Sequence, residues 1–442
     1  MPEILNFTLP CPPLALTDFL RFGAGLPRFY FESRQSPLAI AGLGIAAQTF
    51  GAGEGRFAVL GAGREEFFGQ IKMLNPAQSL PRPAALAGGS FFSQLRPGEW
   101  DSFPAAALIL PRYTLTRFGG KTFLALNQVS AENESLSDAA RRLRLEAENF
   151  LARLQDSLPA APALPEIFSL RESGRADWQA MLAQAIERIS AGQMKKVVLA
   201  RASQLRLTPA PEPAALLAAL GEACPACFRF LFEFSPGAAF AGATPERLAA
   251  VSGAQFVSAA IAGSIRRGET SAADEALAGE LLASLKDQSE HTFVLDEIRA
   301  RLAPLAARLE FDPAPQILRL PNIQHLRTRV AGQLRAGCGA LELAAALHPT
   351  PAVGGVPGAA ALEFIRAAEG FERGWYAGPV GWVDAAGDGD FAVAIRSGLF
   401  RGESVTLFGG AGIVAASDPQ KEWEETGLKM RFLLDALQAV TA

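Results

Sequence analysis

Two pairs of acidic residues lie far apart in the sequence, each at helical spacing. Asp287 and Glu290 are three residues apart, as are Glu422 and Glu425, with Lys429 one turn further on. Side chains three or four residues apart share one face of a helix. Charged helix faces are usually only solvated, and acids in a first turn also favour the helix dipole. If the two faces meet, they offer the oxygen ligands that Mg²⁺ prefers.

A lysine and a glutamate are candidates for proton transfer. Lys196 opens the apolar run Lys196–Ala200, which predicts a strand buried on both faces. A strand-end lysine that reaches solvent is the alternative. Glu246 follows the strand-like run Phe240–Thr244 and a turn, where it could also be a surface partner of Arg247. A buried amine is a candidate general base, and a buried carboxyl is a candidate general acid.

Glycine-rich turns and one arginine lie between these groups. The segments Ala262–Ser264, His348–Gly355 and Gly409–Val414 can expose backbone N–H groups to anionic oxygens. Arg396 ends the apolar run Phe391–Ile395 and suits bidentate binding of a carboxylate. Combined with the acidic faces, these segments predict a Mg²⁺ site that helps to bind a carboxylate substrate.

The elements that must position these residues follow from hydrophobic periodicity. Strands and turns dominate the first 130 residues, including the runs Phe29–Glu32 and Phe57–Leu60. The Pro- and Ala-rich segment Leu158–Pro165 is the candidate boundary between an N-terminal part (1–160) and a catalytic core (175–438). Further strands are predicted over Lys196–Ala200 and Phe228–Phe234. Helices are predicted over Ala139–Leu158, over Asp177–Ala191, after Pro209–Pro213, over Asp274–Ala307 and from Glu422 onwards. The first of these helices has one apolar face, formed by Leu143, Ala147, Phe150, Leu151 and Leu154.

The composition restricts the possible classes of protein. The 442 residues are 49% hydrophobic and 19% charged, which excludes global disorder. The net charge of −4 argues against nucleic-acid binding, and no apolar run is long enough for a membrane span. The N-terminal residues Met1–Asn6 lack the basic segment of a signal peptide. We therefore expect a cytoplasmic protein without nucleic-acid or membrane partners.

Two short motifs are interpreted conservatively. Cys224 and Cys227 form a C-x-x-C pair without a second pair of metal ligands or a nearby histidine. A loop leading into the strand Phe228–Phe234 is therefore favoured over a redox or zinc site. Gly42–Ala47 matches a dinucleotide-binding pattern but lacks the βαβ unit and the later acid that would support it. We interpret that match as coincidental.

Taken together and in order, the segments that carry the candidate residues resemble the chorismate-utilising enzymes. This family includes isochorismate, salicylate, anthranilate and aminodeoxychorismate synthases. The resemblance is dense from about Asp177 to Leu437 and weaker before that. It implies an α+β fold over 1–442, a single large chorismate-binding domain like anthranilate synthase component I. In such a domain two antiparallel β-sheets enclose the site and helices lie outside.

The residues that distinguish branches of the family resemble a member that uses water. Anthranilate synthases typically carry Gln at the position of Lys196, and aminodeoxychorismate synthases have a nucleophilic lysine at the position of Ala262. Ammonia-using members also tend to have Arg-Asn-Asp in place of Ser289-Glu290-His291. The resemblance implies isochorismate synthase, a reversible Mg²⁺-dependent isomerase, or salicylate synthase, which also eliminates pyruvate. Ser264, instead of the Thr often found in lyase-competent relatives, favours the former.

The resemblance also implies a role for each candidate residue. Lys196 would activate water for attack at C2 of chorismate, and Glu246 would assist loss of the C4 hydroxyl. Glu290 and Glu425 would bind Mg²⁺ directly. Asp287 and Glu422 would lie nearby and act through metal-bound water. Substrate would contact Gly263, Ser264, His325, Ala352, Tyr376, Arg396, Gly410, Ala411 and Lys429.

Partners and pathway are the least constrained expectations. The resemblance implies chorismate as the small-molecule substrate and no obligatory amidotransferase subunit. We expect a monomer, with a dimer as the alternative. The run Phe29–Glu32 resembles menaquinone-type members more than siderophore-type members, which favours a role in menaquinone biosynthesis. An amine-transferring synthase and a non-catalytic chorismate-binding relative are less favoured, and the latter would be expected to lack one of the catalytic carboxylates.

Overall fold

The computed structural model describes residues 2–33, 35–36, 38–156, 165–320 and 323–439. Helices in this part of the chain range from one and a half turns to almost six turns. They are α1 (Leu16–Phe22), α2 (Arg56–Ala62), α3 (Arg64–Gly69), α4 (Leu136–Asp156), α5 (Arg175–Ser190), α6 (Pro213–Ala223), α7 (Ser271–Ala283), α8 (Leu285–Leu302), α9 (Ala340–Leu347), α10 (Gly358–Ala368) and α11 (Pro419–Ala439).

Strands are distributed along the whole described chain. They are β1 (Ile4–Cys11), β2 (Arg28–Glu32), β3 (Leu38–Leu43), β4 (Ala47–Gly51), β5 (Ile71–Met73), β6 (Ala84–Gly89), β7 (Ala106–Leu110), β8 (Tyr113–Phe118), β9 (Lys121–Val129), β10 (Glu166–Glu172), β11 (Lys196–Thr208), β12 (Phe228–Ser235), β13 (Ala238–Thr244), β14 (Arg247–Ser252), β15 (Gln255–Arg266), β16 (Ala306–Phe311), β17 (Gln316–Arg319), β18 (Ile323–Leu334), β19 (Gly355–Val356), β20 (Pro379–Asp384), β21 (Gly389–Val393), β22 (Ser397–Arg401) and β23 (Ser404–Ile413).

These strands form two sheets. The first has the order β10-β11-β23-β22-β13-β12-β2-β3-β8-β9-β1-β5, with β19 beside β11. The second has the order β16-β18-β15-β14-β21-β20-β6-β7-β4, with β17 beside β18. Among the described strands the only parallel pair is β1 with β5. The predicted α+β class with two antiparallel sheets is therefore confirmed.

Each sheet combines strands from the first and the later part of the chain. In the first sheet β2 pairs with β12, and in the second sheet β6 pairs with β20. The principal buried cluster lies between the sheets and takes Phe29 and Phe230 from the first and Leu86 and Phe391 from the second. The strands β12 and β20 of the later part of the chain are consequently held by hydrogen bonds to the N-terminal strands β2 and β6.

A second buried cluster joins the first sheet to helices. Leu20, Leu143, Leu217 and Leu433, from α1, α4, α6 and α11, are among its members. All five apolar residues predicted for one face of α4 are buried, which confirms that periodicity. Burying such a stripe against the sheet is what stabilises an amphipathic helix. Helices thus cover the outer face of the first sheet, as predicted.

Two predicted elements are wrong. The run Phe57–Leu60 lies within the helix α2, where Phe57 and Leu60 are buried and Val59 is 54% exposed. A four-residue apolar run cannot distinguish a strand from one helical face. The predicted helix Asp274–Ala307 is two helices, α7 and α8, because extended backbone at Ser284 interrupts it. Its last two residues, Ala306 and Ala307, belong to β16.

The remaining predictions from the motifs have mixed outcomes. The connector Leu158–Pro165 lies outside the described residues except for Pro165. Cys224–Cys227 forms a loop between α6 and β12, as predicted, and the two cysteines are joined by a disulfide that was not predicted. Gly42–Ala47 passes from β3 into β4 without a helix, as expected for a coincidental match. None of the described helices is both long and apolar enough to cross a bilayer.

Candidate active site

One cavity gathers the candidate residues from strands and helices that are distant in sequence. It is lined from β11, β15, β18 and β23, from the turn between β13 and β14, and from the helices α8 and α11. Every residue predicted to take part in catalysis, metal binding or substrate binding lines it except Ala411. Ala411 is fully buried and packs in the principal core cluster instead. The neighbouring Gly410 and Gly412 form that part of the wall.

Lys196 begins β11 and is buried rather than extended to solvent. It is 1% exposed, and its Nζ lies 2.8 Å from Oε1 of Glu290 on α8. Gly412 provides the space for this pair, since a Cβ added there would lie 2.9 Å from Glu290 Oε1. The alternative of a solvent-exposed lysine is therefore wrong. The amine of Lys196 therefore lies inside the cavity, held against a carboxylate of α8.

Glu246 lies in the turn between β13 and β14, and its side chain belongs to the cavity rather than to the surface. Its backbone N–H donates to Thr244 Oγ1 (3.2 Å), and its carbonyl accepts from Val393 N–H (3.0 Å). Burial raises the pKa of Glu246 to about 7, although three nearby cations oppose the shift. Arg247 bonds to Asp390 instead (3.0 Å), so the surface-pair alternative is wrong. The carboxyl of Glu246 can hold a proton near neutral pH.

Arg396 follows β21 in a strained backbone conformation. Its φ is +54°, in the left-handed region that non-glycine residues rarely occupy. The side chain is 7% exposed, and its Nε has no hydrogen-bond partner among the described residues. Burial lowers the pKa of Arg396 to about 10, so it stays cationic at neutral pH. A buried guanidinium with a free donor suits an anionic substrate group.

Tyr376 contributes a neutral hydroxyl and a flat wall. Its ring stacks on Phe408 with centroids 4.9 Å apart, and burial raises its pKa to about 12. Next to it Arg373 is bound by Glu369 (Nε to Oε2, 2.8 Å) and donates to the carbonyls of Val198 and Val353. Sequence reasoning missed Arg373, which ties two walls of the cavity together.

A β-bulge in β15 shapes the contact between Ser264 and His325. The register with β18 shifts between Ala262 and Ser264, and Gly263 takes up the extra residue at φ +77°. Nδ1 of His325 lies 2.9 Å from Ser264 Oγ and 3.3 Å from the Gly263 carbonyl. Because a carbonyl only accepts, we assign the ring proton to Nδ1. The Ser264 hydroxyl then accepts from His325 and retains its own hydrogen for donation.

The two acidic helix faces meet at this cavity, each balanced by lysines. Besides the Lys196–Glu290 pair, Lys286 Nζ lies 3.7 Å from Glu422, and Lys429 Nζ lies 2.6 Å from Glu425. Lys286 was not among the predicted site residues, although it adjoins Asp287. The described residues contain no group of three or more His, Cys, Asp or Glu side chains already arranged around one metal position.

The chemistry of these carboxylates nevertheless fits a hard divalent cation. Burial raises the pKa of Asp287, and the neighbouring Glu290 adds to the rise. Burial likewise raises the pKa of Glu422 to about 7, with Glu425 adding to it. Crowded oxygen donors that disfavour each other's charge are stabilised by a cation. Mg²⁺ keeps several waters and needs few direct protein ligands, so these residues fit that ion.

Two other histidines lie outside the cavity. Nε2 of His291 is 2.7 Å from Thr328 Oγ1, behind Glu290, and Nε2 of His348 is 3.1 Å from the Phe91 carbonyl. Neither lines the cavity. Their burial indicates packing and hydrogen bonding, and only His325 of the three histidines is placed to contact a ligand.

The family of this chain follows from its similarity to known proteins. A family model described as chorismate binding enzyme matches residues 1–438. The chain belongs to the chorismate-binding enzyme family. The resemblance inferred from the separated motifs is thereby confirmed, and it extends into the N-terminal part where those motifs are sparse.

Individual members of the chorismate-binding enzymes are similar over nearly the whole chain. The salicylate biosynthesis isochorismate synthase of Pseudomonas aeruginosa is 38% identical over 94% of this chain and 85% of that protein. The isochorismate synthase MenF of Bacillus subtilis is 33% identical over 98% and 93%, respectively. The structure of MenF, the menaquinone-specific isochorismate synthase from Escherichia coli, has a TM-score of 0.82 at 29% identity and covers 99% of this chain and 95% of that chain.

Proposed function

We propose that this protein is an isochorismate synthase, which converts chorismate reversibly to isochorismate. The observation that carries the proposal is that Lys196 and Glu246 line one cavity, where burial raises the pKa of Glu246 to about 7. The reaction needs a base for water and an acid for a departing hydroxyl, and these two side chains supply them. The names of the similar proteins support the same activity.

The proposed chemistry is a substitution with a shift of double bonds. Lys196 first releases the proton that its ion pair with Glu290 holds, so that Nζ is a neutral amine. Water then forms a bond to C2 of the chorismate ring and gives a proton to that amine. The C4–O bond breaks as the ring double bonds move, and Glu246 protonates the departing oxygen, which leaves as water. Both steps are general acid–base catalysis, which typically contributes about 10²–10⁴-fold per group.

Substrate binding is assigned to the cationic and hydroxyl groups of the wall. Arg396, with its unpartnered Nε, is the proposed partner of a chorismate carboxylate. Tyr376 and Ser264 are proposed as hydroxyl donors to the same molecule. Lys429, which now donates to the Gly410 carbonyl (2.9 Å), is the proposed second cation. Ala352 supplies a small, apolar part of the wall.

The proposal includes a Mg²⁺ ion. Glu290 and Glu425 are the proposed direct ligands, and Asp287 and Glu422 are proposed to act through metal-bound water. When bound, the ion would hold the ring carboxylate and offset its charge. These four side chains reach the cavity from the two helices α8 and α11. The position of both helices relative to β11 therefore has to stay fixed.

Amine transfer is not supported by the same wall. Ala262 lines the cavity and has no nucleophilic atom at the position where a lysine would attack. The expectation of a menaquinone role stays a prediction, because the similar proteins include one named for salicylate biosynthesis and one named MenF. Isochorismate is the product common to both.

The test is incubation with chorismate and MgCl₂ in ¹⁸O-labelled water, followed by mass spectrometry of the products. We expect isochorismate with one labelled oxygen at C2, and much slower formation of the same product with Glu246→Gln. Release of pyruvate and salicylate would instead identify a salicylate synthase. Formation of an aminated product with added ammonium, or no consumption of chorismate, would contradict the proposal.

A further inference from the structure

We propose that Arg201 is a positioning residue that fixes the first turns of α11, and with them Glu422 and Glu425, relative to the base on β11. The inference rests on the proposed function, because that function assigns the two carboxylates to the active site. Arg201 lies on the same strand as Lys196, five residues further along. It does not line the cavity and is not assigned to substrate or metal.

The guanidinium of Arg201 is enclosed by two residues of α11. Nε donates to Thr426 Oγ1 at 2.8 Å, and Cζ lies 3.6 Å from the ring centroid of Trp423. Nη2 lies 3.4 Å from the Trp423 carbonyl, to which the Thr426 hydroxyl also donates at 2.8 Å. Arg201 is 3% exposed and Thr426 is fully buried. One planar cation thus contacts two residues of the same helical turn, one by stacking and one by hydrogen bonding.

Each contacted residue adjoins a candidate metal ligand. Trp423 follows Glu422, and Thr426 follows Glu425. A helix turns by about 100° per residue, so contacts that fix the direction of Trp423 and Thr426 also fix the direction of the two glutamates. Rotation or sliding of α11 would require the stacking and the hydrogen bond to break together.

The strand beside Arg201 leaves the helix no space to shift towards the sheet. Gly409 on β23 is the cross-strand partner of Arg201. A Cβ added at Gly409 would lie 2.6 Å from the Thr426 carbonyl oxygen, so the helix backbone already rests on the strand. Arg201 and Gly409 therefore hold α11 at one register position of the β11–β23 ladder, whose first paired residue, Val197, directly follows the proposed base.

A buried arginine at position 201 is unfavourable for stability if packing is its only role. Its Nη1 has no hydrogen-bond partner among the described residues, and Glu172, half exposed, lies 3.7 Å away. A buried charge that is incompletely paired costs free energy, and an apolar side chain of similar size often stabilises a protein more. The combination of stacking and directional hydrogen bonding is what an apolar residue could not provide.

The test compares Arg201→Met, Arg201→Lys and Thr426→Val with Arg206→Met, a change of an exposed arginine on the same strand. Hydrogen–deuterium exchange is measured over residues 419–429, together with kcat, the KM for chorismate and the MgCl₂ concentration for half-maximal rate. We expect faster exchange and a fall of about 10- to 100-fold in kcat/KM for Arg201→Met and Thr426→Val. The same two variants should need a higher MgCl₂ concentration for half-maximal rate. Arg201→Lys should lose less activity than Arg201→Met, and Arg206→Met should match wild type.

The outcomes separate this inference from the proposed function. If wild type makes no isochorismate, the proposed function fails, while hydrogen exchange still decides whether Arg201 holds the helix. Unchanged exchange over 419–429 in both Arg201→Met and Thr426→Val would overturn the inference. So would a lower melting temperature with unaltered kcat and unaltered Mg²⁺ dependence, which would indicate packing alone. If Arg201→Met does not fold, Thr426→Val carries the test, because it removes one hydroxyl at nearly constant volume.

Discussion

Lys196 and Glu290 form a buried ion pair in the wall of the cavity, with Nζ 2.8 Å from Oε1 and side-chain exposures of 2% and 11%. The pair joins the start of β11 to the second turn of α8. It also joins the two functions proposed for the site, because the candidate base is held by a candidate metal ligand. The behaviour of this pair is therefore the most direct measure of the proposed chemistry.

Removing the amine should abolish most of the activity. For Lys196→Met we expect kcat to fall by about 10²–10⁴-fold, the contribution typical of a general base. The change leaves Glu290 buried without its partner, which typically costs about 3–5 kcal/mol of stability. The double variant with Glu290→Gln should recover part of that stability but none of the activity. Urea unfolding and steady-state rates measure the two effects separately.

Lys195→Met is the matched control, because Lys195 is the preceding residue on the chain and is exposed. Its ammonium lies 5.3 Å from the ring centroid of Phe293, and its backbone N–H donates to the Val356 carbonyl (2.7 Å), a bond that the substitution to Met retains. Its kcat should stay close to that of wild type. Wild-type activity in Lys196→Met would remove Lys196 from the mechanism.

A methyl group at position 412 should disturb the pair without removing any functional group. A Cβ at Gly412 would lie 2.9 Å from Glu290 Oε1 and 3.0 Å from Lys196 Cε. Both side chains must give way, and a displacement near 1 Å can cost about 10²-fold in rate. We expect Gly412→Ala to lower kcat by an amount up to that size, measured with saturating chorismate.

Gly279→Ala serves as its comparison, because a Cβ at that helical position has nothing within 4 Å. It should leave kcat unchanged and stabilise the protein slightly, since alanine is the better helix former. Equal kcat in Gly412→Ala and wild type would mean that the rate does not depend on the geometry of the Lys196–Glu290 pair.

The carboxylate of Glu425 should control the response to metal. In Glu425→Gln the proposed direct ligand becomes a neutral amide and Lys429 loses its partner at 2.6 Å. We expect the MgCl₂ concentration for half-maximal rate to rise by more than the roughly 10- to 100-fold typical of residues behind the ligands. The exposed neighbour Glu424, changed to Gln, should leave it unaltered. A metal response like that of wild type in Glu425→Gln would exclude Glu425 as a ligand.

The sequence indicated the local elements of the site well, because their signals are local. The apolar run after Lys196 predicted a strand, and the three-residue spacing of Glu422 and Glu425 predicted a shared helix face. The break between α7 and α8 also had a signal that was missed. Ser284 and Asp287 have the spacing of a helix N-terminal cap, and the Ser284 hydroxyl does accept from the Asp287 N–H (3.3 Å).

Other features depend on long-range packing and have no local signal. The left-handed backbone of Arg396 is unusual for a residue with a Cβ, and only the surrounding fold imposes it. Glu369 and Arg373 connect the cavity wall to Ala200 and Val198, about 170 residues earlier in the chain. Pairing of β2 with β12 likewise could not be inferred from the residues of either strand. Such contacts become visible only when the sheet order is known.

The pH dependence of rate should report Glu246. With a pKa of about 7 in the folded protein, the acid holds its proton below pH 7 and loses it above. If protonated Glu246 is required, kcat/KM should fall about tenfold per pH unit on the alkaline side. Glu246→Gln should be much slower, and its kcat/KM should not show this fall with rising pH. A pH profile for wild type that stays flat from pH 6 to about 9 would contradict the assignment of Glu246 as the acid.

The same pKa should appear in the stability of the protein, with a defined sign. Because the folded pKa of Glu246 is raised from 4.5 to about 7, the folded state binds the proton more tightly than the unfolded state. The contribution of Glu246 to the free energy of unfolding is therefore at its full value, about 3 kcal/mol, below about pH 4.5, and it is lost as the pH rises through 7. Glu422 titrates in the same range, so the informative quantity is the difference between wild type and Glu246→Gln. Between pH 5 and about pH 8 the wild type should lose stability relative to Glu246→Gln. A difference in unfolding free energy that stays constant over this range would show that burial does not hold Glu246 protonated.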